Sequence, residues 1–320
     1  MTTPHTDTAR FLVHAHDPQE QAASFGTLEQ SYEQLSPGRF SGSLFAVSAH
    51  DITVFQETLD QSVFQTGVSD PDHFTIAAAC ELSERAYWNG RHIDQDAVVA
   101  FTPGREFELR TPLHAVCVGI SLAPSALHSL APDEPPERWQ KIFAGHDCWP
   151  EAGRLKRMLQ QGIAQLRHQA SVSAEADGLL DLREMTIDYL GGVIERGDAD
   201  LPRLRADSYP RIARRARAAM LDRLHEPLSV TDLCLQLGCS RRSLQYAFES
   251  IYDQNPVAYL RTLRLAAARR QLTSSAPGVT VQDVAAAVGF NHLPRFARAY
   301  AQMYGERPSE TLAAHRRGRF

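Results

Sequence analysis

The segment from Val230 to Leu312 contains the same residue pattern twice. The matched pairs are Val230–Leu233 with Val281–Val284, Leu237-Gly238-Cys239 with Val288-Gly289-Phe290, and Leu244, Phe248, Tyr252 and Pro256 with Phe296, Tyr300, Tyr304 and Pro308. The offset is 51 residues before the turn and 52 after it, so the second copy has one additional residue there. Because two helices joined by a glycine-containing turn form a helix-turn-helix unit, the repeat predicts a DNA-binding domain with two such units.

The net charge of −5 conceals a strong asymmetry along the chain. Residues 209–320 contain 17 Arg, no Lys and 8 Asp plus Glu, which gives +9. Residues 1–208 contain 16 basic and 30 acidic residues, which gives −14, and the two parts sum to −5. A basic domain attached to an acidic one is typical of a nucleic-acid-binding protein with a second, regulatory module. Solubility alone would explain the acidic part but not the asymmetry.

The fold class predicted for the chain is α+β multidomain. Short β-like runs at 43–47, 52–57, 62–68, 73–79, 97–101, 107–110 and 115–121 predict an N-terminal cupin-like β-barrel or sandwich with flanking helices, followed by an all-α tandem helix-turn-helix domain. The predicted boundaries are a disordered lead at 1–24, an effector-sensing β domain at 25–122, a helical subdomain at 123–200, a linker at 201–210, and a DNA-binding domain at 211–320 with units at 230–251 and 281–304. A small barrel can hold one ligand, and Phe74, Trp88 and Phe101 are the candidate pocket residues. The apolar helices at 151–197 either mediate dimerisation or pack within the chain.

Several function classes lack their sequence signatures. The chain has no P-loop, GxSxG or HExxH motif, so an enzyme is not expected, and a cupin-type enzyme is a remote alternative. His73, His92 and His114 do not include the His-x-His pair expected of a cupin metal site, so no metal is predicted. No apolar run reaches the ~20 residues of a membrane span, and the start lacks a secretory signal. With five cysteines and no CxxC pair, the expected location is cytoplasmic.

The two predicted recognition helices each have a buried and an outward face. Leu244, Ala247 and Phe248 in the first, and Phe296, Ala299 and Tyr300 in the second, have the spacing of a buried face. Predicted base contacts from the outward faces are Arg242, Gln245, Tyr246, Arg295 and Arg298, and predicted phosphate contacts are Ser240, Arg241, Asn291 and His292. The alternatives are helix capping for Ser240, Asn291 and His292, and phosphate contact or a solvated face for the arginines.

The C-terminal third resembles the AraC/XylS family of bacterial transcription regulators. The resemblance rests on residues 238–245, on 264–272, and on Gly289-Phe290 through Phe296 and Tyr300 to Tyr304-Gly305 and Pro308-Ser309. It implies that each recognition helix enters the major groove, with base-reading positions at Arg242, Gln245, Tyr246, Pro294, Arg295 and Arg298. Pro294 stands where the family often has a polar residue, which weakens base reading there.

A further resemblance covers residues 32–42, 106–112, 232–234 and 240–242, which look similar to regulators of ethanolamine-utilisation operons within that family. It implies a transcription activator that responds to ethanolamine or another amine, with adenosylcobalamin as a co-effector. Expected partners are double-stranded promoter DNA, RNA polymerase, the small-molecule effector and a second copy of the chain. A repressor, or a DNA-binding regulator without a ligand, is the main alternative.

Overall fold

The computed structural model describes residues 8–26, 28–49, 51–95, 97–125, 148–149, 153–169, 172–195 and 208–318. The chain forms two compact units. The first spans residues 1–32, 41–60 and 65–204, and the second spans 33–40, 61–64 and 205–320.

The first unit is a β-sandwich, and two of its described helices pack on one face. Its twelve described strands are β1 (Ala9–Ala15), β2 (Glu29–Gln34), β3 (Gly42–Ala49), β4 (Ile52–Leu59), β5 (Val63–Val68), β6 (Phe74–Leu82), β7 (Ala86–Trp88), β8 (Arg91–Ile93), β9 (Val98–Phe101), β10 (Glu106–Thr111), β11 (Ala115–Leu122) and β12 (Cys148–Trp149). The larger sheet has the order β1-β3-β4-β11-β6-β9-β12, and the smaller has the order β2-β5-β10-β7-β8. The predicted sandwich is therefore confirmed, and all seven predicted strands are present.

The central strands of the larger sheet are covered on both faces, and alternate residues of each strand face opposite sides. In β6, Phe74 and Ile76 pack against helices α2 (Gly153–His168) and α3 (Val172–Glu195), whereas Thr75 and Ala77 face the interior of the sandwich. The helices contribute eight buried residues to that core, namely Leu155, Leu159, Ile163, Leu166, Leu179, Leu182, Ile187 and Leu190. The apolar face of these helices therefore packs within the chain, which was one of the two alternatives for 151–197; the other was dimerisation.

The predicted disordered lead needs correction. Strand β1 pairs antiparallel with β3, from Ala9 opposite Ser48 to Ala15 opposite Gly42. Helix α1 (Pro18–Ala23) follows, and the Asp17 side chain caps it by accepting a hydrogen bond from the Gln19 amide. The sequence lacks a β signal here because β1 is an edge strand whose residues are largely exposed on both faces. Residues 1–7 lie outside the described part.

Among the described residues, the second unit contains seven helices that carry the two predicted helix-turn-helix units. They are α4 (Ser208–Asp222), α5 (Val230–Leu237), α6 (Arg241–Tyr252), α7 (Pro256–Ser274), α8 (Val281–Ala287), α9 (Leu293–Tyr304) and α10 (Pro308–Arg316). The all-α prediction for this part is confirmed. Most of the predicted 201–210 linker lies outside the described residues, and its last positions belong to α4.

The repeat extends to the capping of the first helix in each unit. Ser229 caps α5 and Thr280 caps α8, and each forms a reciprocal capping box with the aspartate three residues later. Glycine at 238 ends α5 in the left-handed conformation. In the second copy, Val288 ends α8 and Gly289 follows with φ of +81°, which accommodates the additional residue of the turn.

Helix α7 is shared by the two helix-turn-helix units. Its N-terminal half presents Tyr259, whose ring stacks on Tyr252 at 3.9 Å and meets Phe248 edge-on at 5.4 Å. Its C-terminal half contributes Leu265 and Leu272, among others, to a core with α8, α9 and α10. One helix therefore lies in the cores of both helix-turn-helix units.

A glycine comparison tests this account of the turns. A methyl group at 238 would meet no atom within 4 Å, whereas one at 289 would lie 2.8 Å from the Leu224 carbonyl oxygen. Both positions have positive φ. We expect Gly238→Ala to lower the free energy of unfolding by about 1 kcal/mol from backbone strain alone, and Gly289→Ala by about 3 kcal/mol, because backbone must also move. Urea unfolding followed by circular dichroism measures both, and equal losses would contradict this account.

Candidate nucleic-acid interface and ligand cavity

The first recognition helix, α6, begins at a side-chain cap and exposes its first turn. The Ser240 hydroxyl accepts a hydrogen bond of 3.0 Å from the Ser243 backbone amide. Ser240 therefore caps α6, which was the alternative to its predicted phosphate contact. Leu244, Ala247 and Phe248 are fully buried, as their spacing predicts. Arg241 and Arg242 are exposed at the start of the helix.

The outward side chains of α6 support one another. The Arg241 guanidinium donates to the Thr231 hydroxyl at 2.6 Å. Arg242 lies over the ring of Tyr246 at 5.3 Å and donates to its hydroxyl at 3.2 Å. Gln245 donates to Glu249 one turn later. Arg242 and Tyr246 thus contact each other, and Gln245 neighbours Arg242 at i+3 on the helix surface. Contact of these three residues with bases stays a prediction.

The second recognition helix, α9, has a different start. The His292 imidazole accepts a hydrogen bond of 3.3 Å from the Arg295 amide, so His292 is the cap, and Pro294 occupies the first turn. Asn291, His292, Arg295 and Arg298 are all exposed. The predicted inward residues Phe296, Ala299 and Tyr300 are buried.

A recess of about 470 Å³ adjoins the start of α9. Arg295 and Arg298 line it together with Asn291, His292 and Arg261 of the connecting helix α7. Three guanidinium groups beside one recess favour an anion, and the DNA backbone supplies phosphates. Arg261 was not predicted from the sequence as a DNA contact, although an arginine within a largely apolar helical stretch is a detectable signal.

Other arginines of this unit have structural roles. Arg264 donates to the carbonyl oxygens of Leu224 and Glu226 at 2.8 and 2.6 Å. Arg269 is buried and donates to Glu306 at 2.8 Å. The positive charge available to DNA is therefore smaller than the arginine count suggests.

The interior of the β-sandwich contains a cavity of about 380 Å³. Of the three predicted pocket residues, Phe101 lines it. Trp88 lies behind Phe101, with ring centroids 4.6 Å apart, and Phe74 packs in the core under α2 and α3. The alternation of β6 explains the position of Phe74, because its side chain points to the opposite face from Thr75 and Ala77.

A buried carboxyl group, Glu57, also lines this cavity. Its Oε1 accepts hydrogen bonds from the Tyr32 hydroxyl at 2.9 Å and from the Gln21 amide at 3.0 Å. Burial raises the pKa of Glu57 to about 7, although these hydrogen bonds act in the opposite direction. Glu57 was not predicted from the sequence as a cavity residue. The available signal was an acidic residue two positions from Phe55 in a predicted strand, and therefore on the same face as Phe55.

His73, His92 and His114, the histidines considered as metal ligands, have separate partners. His73 bonds Asp70 at 3.0 Å, His114 faces Glu81 at 3.4 Å, and His92 lies edge-on to Tyr87. In the part of the chain that the structure describes, no helix combines the length and hydropathy needed to cross a membrane.

The C-terminal unit is similar in sequence to known DNA-binding regulators. The family described as "Helix-turn-helix domain" matches residues 212–314. The chain is 36% identical over 106 residues to the probable thc operon regulatory protein of Rhodococcus erythropolis, covering 32% of this chain and 31% of that protein. It is 37% identical over 78 residues to XylDLEGF operon transcriptional activator 2 of Pseudomonas putida, covering 24% of this chain and 50% of that protein. A solved structure of a probable AraC family transcriptional regulator from Rhodopseudomonas palustris is 31% identical, covering 33% of this chain and 97% of that one, with a TM-score of 0.31.

The C-terminal unit is a helix-turn-helix domain, as the resemblance to AraC/XylS regulators implies. The matched residues run from α4 to α10 and include both repeated units. The chain spans about a third of the length of the first curated relative and half of the second. Both are named as regulators rather than enzymes, and for operons other than an ethanolamine operon.

The raised pKa of Glu57 makes the stability of the protein depend on pH. A carboxyl whose pKa is raised on folding stabilises the protein fully below its unfolded value of 4.5, and that stabilisation is lost as the pH rises through about 7. The facing titratable groups, Tyr32 and Cys117, have pKa values raised above this window, so both stay protonated within it.

We expect Glu57→Gln to gain stability relative to the wild type between pH 5 and pH 8, by up to about 3 kcal/mol. The exposed Glu84→Gln is the control and should show no such trend. Thermal unfolding at half-unit pH steps measures this, and a constant difference between Glu57→Gln and the wild type would refute the assignment.

Proposed function

We propose that the chain is a sequence-specific DNA-binding transcription regulator, with α6 and α9 as its major-groove helices. The observation that carries the proposal is the pair of exposed polar surfaces near the starts of α6 and α9, the second helix of each helix-turn-helix unit. Arginine and glutamine in a first helical turn can form paired hydrogen bonds with guanine and adenine edges.

The two recognition helices differ in what they offer a base. The first presents Arg242, Gln245 and Tyr246 on one surface. The second presents Arg295 and Arg298 beside Pro294, which has no side-chain donor. We infer that α6 carries more of the sequence specificity and that α9, with Arg261, adds mainly affinity through phosphates.

We further propose that the sandwich cavity binds the effector and that binding favours transcription activation. The name of the Pseudomonas putida relative, a transcriptional activator, supports the direction of regulation. Ethanolamine or another amine is the effector that the family resemblance suggests. Adenosylcobalamin, the suggested co-effector, does not fit a cavity of about 380 Å³, because its corrinoid ring and nucleotide are far larger.

A homodimer and a contact with RNA polymerase complete the proposal. Leu180 and Met185 of α3 are 41% and 45% exposed, which leaves an apolar part of this helix available to a second copy. An activator requires a polymerase contact, and a promoter transcription assay with and without effector distinguishes activation from repression.

The salt dependence of DNA binding tests the proposed interface. DNA selected from a random-sequence pool would be bound at several salt concentrations, and log K should fall with log salt by about 0.9 per phosphate neutralised. We expect Arg261→Ala to reduce the slope by about one unit. Arg270→Ala is the matched control, because Arg270 is exposed half a turn out of phase on the same helix. A flat salt response, or equal effects of both variants, would contradict the proposal.

Base preference tests the division between the two helices. We expect Arg242→Ala to relax preference at one position by about 1–3 kcal/mol and Arg298→Ala to weaken all sequences alike. Competition binding against a set of single-base variants of the selected site measures both. The reverse ranking would show that α9 reads the sequence.

A further inference from the structure

The cavity of the β-sandwich has three rungs of side chains from the larger sheet. Strand register sets Thr53 beside Ser121 and Thr75 at one end, and Glu57 beside Cys117 and Ala79 at the other. Between them lie Phe55, Gly119, Ala77 and Val99. Glu57 and Thr53 are four residues apart on β4, which corresponds to about 13 Å. The cavity thus has two polar ends separated by an apolar middle.

Small residues keep the middle of the cavity open. The ring of Phe55 lies across Gly119, where a methyl group would approach it to 2.2 Å. Ala77 fills little of the space beside it, and Phe25 meets Phe55 edge-on at 5.5 Å. Aromatic and aliphatic walls of this kind favour an apolar ligand body, and a volume of about 380 Å³ lies in the range of sites that hold drug-sized ligands.

The charges at the cavity select the sign of the ligand. Glu57 and Asp70 are the acidic residues of the described lining, and His73, the lining residue able to carry a positive charge, bonds Asp70. No Lys or Arg is among these lining residues. Glu57 is 5% exposed, and the Tyr32 hydroxyl and the Gln21 side-chain amide, both neutral, donate to it. A buried carboxylate without a cationic partner is costly, and a ligand cation would offset that cost.

We propose that this cavity binds a primary amine with an apolar body of about six to ten carbons, whose ammonium group pairs with the Glu57 carboxylate. The alkyl or aryl body lies between Phe55 and Phe101, and the hydroxyl rung of Thr53, Thr75 and Ser121 bounds the far end. This proposal rests on the proposed effector function and narrows its ligand class. Ethanolamine, with two carbons, would leave the apolar middle of the cavity empty.

Isothermal titration calorimetry of the full chain tests the ligand class. The probes are hexylamine and 2-phenylethylamine, the matched alcohols hexanol and 2-phenylethanol, 3-phenylpropionate, and ethanolamine. We expect each large amine to bind about 30-fold more tightly than its alcohol, because only the amine pairs with the buried carboxylate. Ethanolamine and the carboxylate should bind more weakly than either amine.

Two variants separate charge recognition from the shape of the cavity. Glu57→Gln should abolish the preference for amine over alcohol and leave alcohol binding intact, whereas Ala77→Leu should fill the cavity and weaken amines and alcohols alike. Glu84→Gln, remote from the lining, should match the wild type. Equal binding of amines and alcohols by the wild type, tightest binding of the carboxylate, an unchanged preference in Glu57→Gln, or no binding of either large amine would each overturn the proposal.

These outcomes are independent of DNA binding. Amine binding is measured without DNA, and the selected DNA site is bound without amine. Loss of the amine preference therefore refutes the ligand class while the DNA-binding proposal stands. Failure to bind DNA leaves the calorimetric result interpretable.

Discussion

The C-terminal domain depends on the packing of α7 into two cores. Tyr259 stacks on Tyr252 near the start of this helix, while Leu265 and Leu272 pack with α8, α9 and α10 near its end. A helix of 19 residues is about 28 Å long, because each residue adds 1.5 Å. Since both recognition helices pack around one rigid element, the spacing between them is fixed before DNA arrives. A rigid spacing avoids part of the ordering cost of binding two grooves.

The helix-turn-helix repeat was predictable because local chemistry determines it. Ser229 and Thr280 are both capping residues followed by aspartate three positions later, and each glycine follows a helix end. Such signals need no knowledge of distant residues. The additional residue at the second turn was also visible in the sequence, as the change of offset from 51 to 52 between Phe290 and Phe296.

The ligand cavity was less predictable because it depends on strand register. Alternation alone identifies two faces of β6, but it does not say which face the helices cover. Phe74 and Phe101 therefore looked equivalent, although only Phe101 lines the cavity. Glu57 was overlooked for a similar reason, since its burial follows from the pairing of β4 with β3 and β11 and from the position of Tyr32. The edge strand β1 had no alternating pattern because both of its faces are largely exposed.

The two polar surfaces differ in how their side chains are held. Arg242 is restrained by the Tyr246 ring, which limits the entropy lost when it contacts a base. Arg295 and Arg298 instead share a recess with Arg261, where several cations attract one phosphate region. The first arrangement favours specificity and the second favours affinity.

Hydroxyl-radical footprinting on selected DNA tests the central claim, that one rigid helix holds two DNA-binding units, most directly. Two recognition helices in successive major grooves predict two protected regions separated by about one helical turn, roughly 10 base pairs, on the same side of the duplex. A single protected region, or two regions whose separation varies between binding sites, would contradict the shared-helix account.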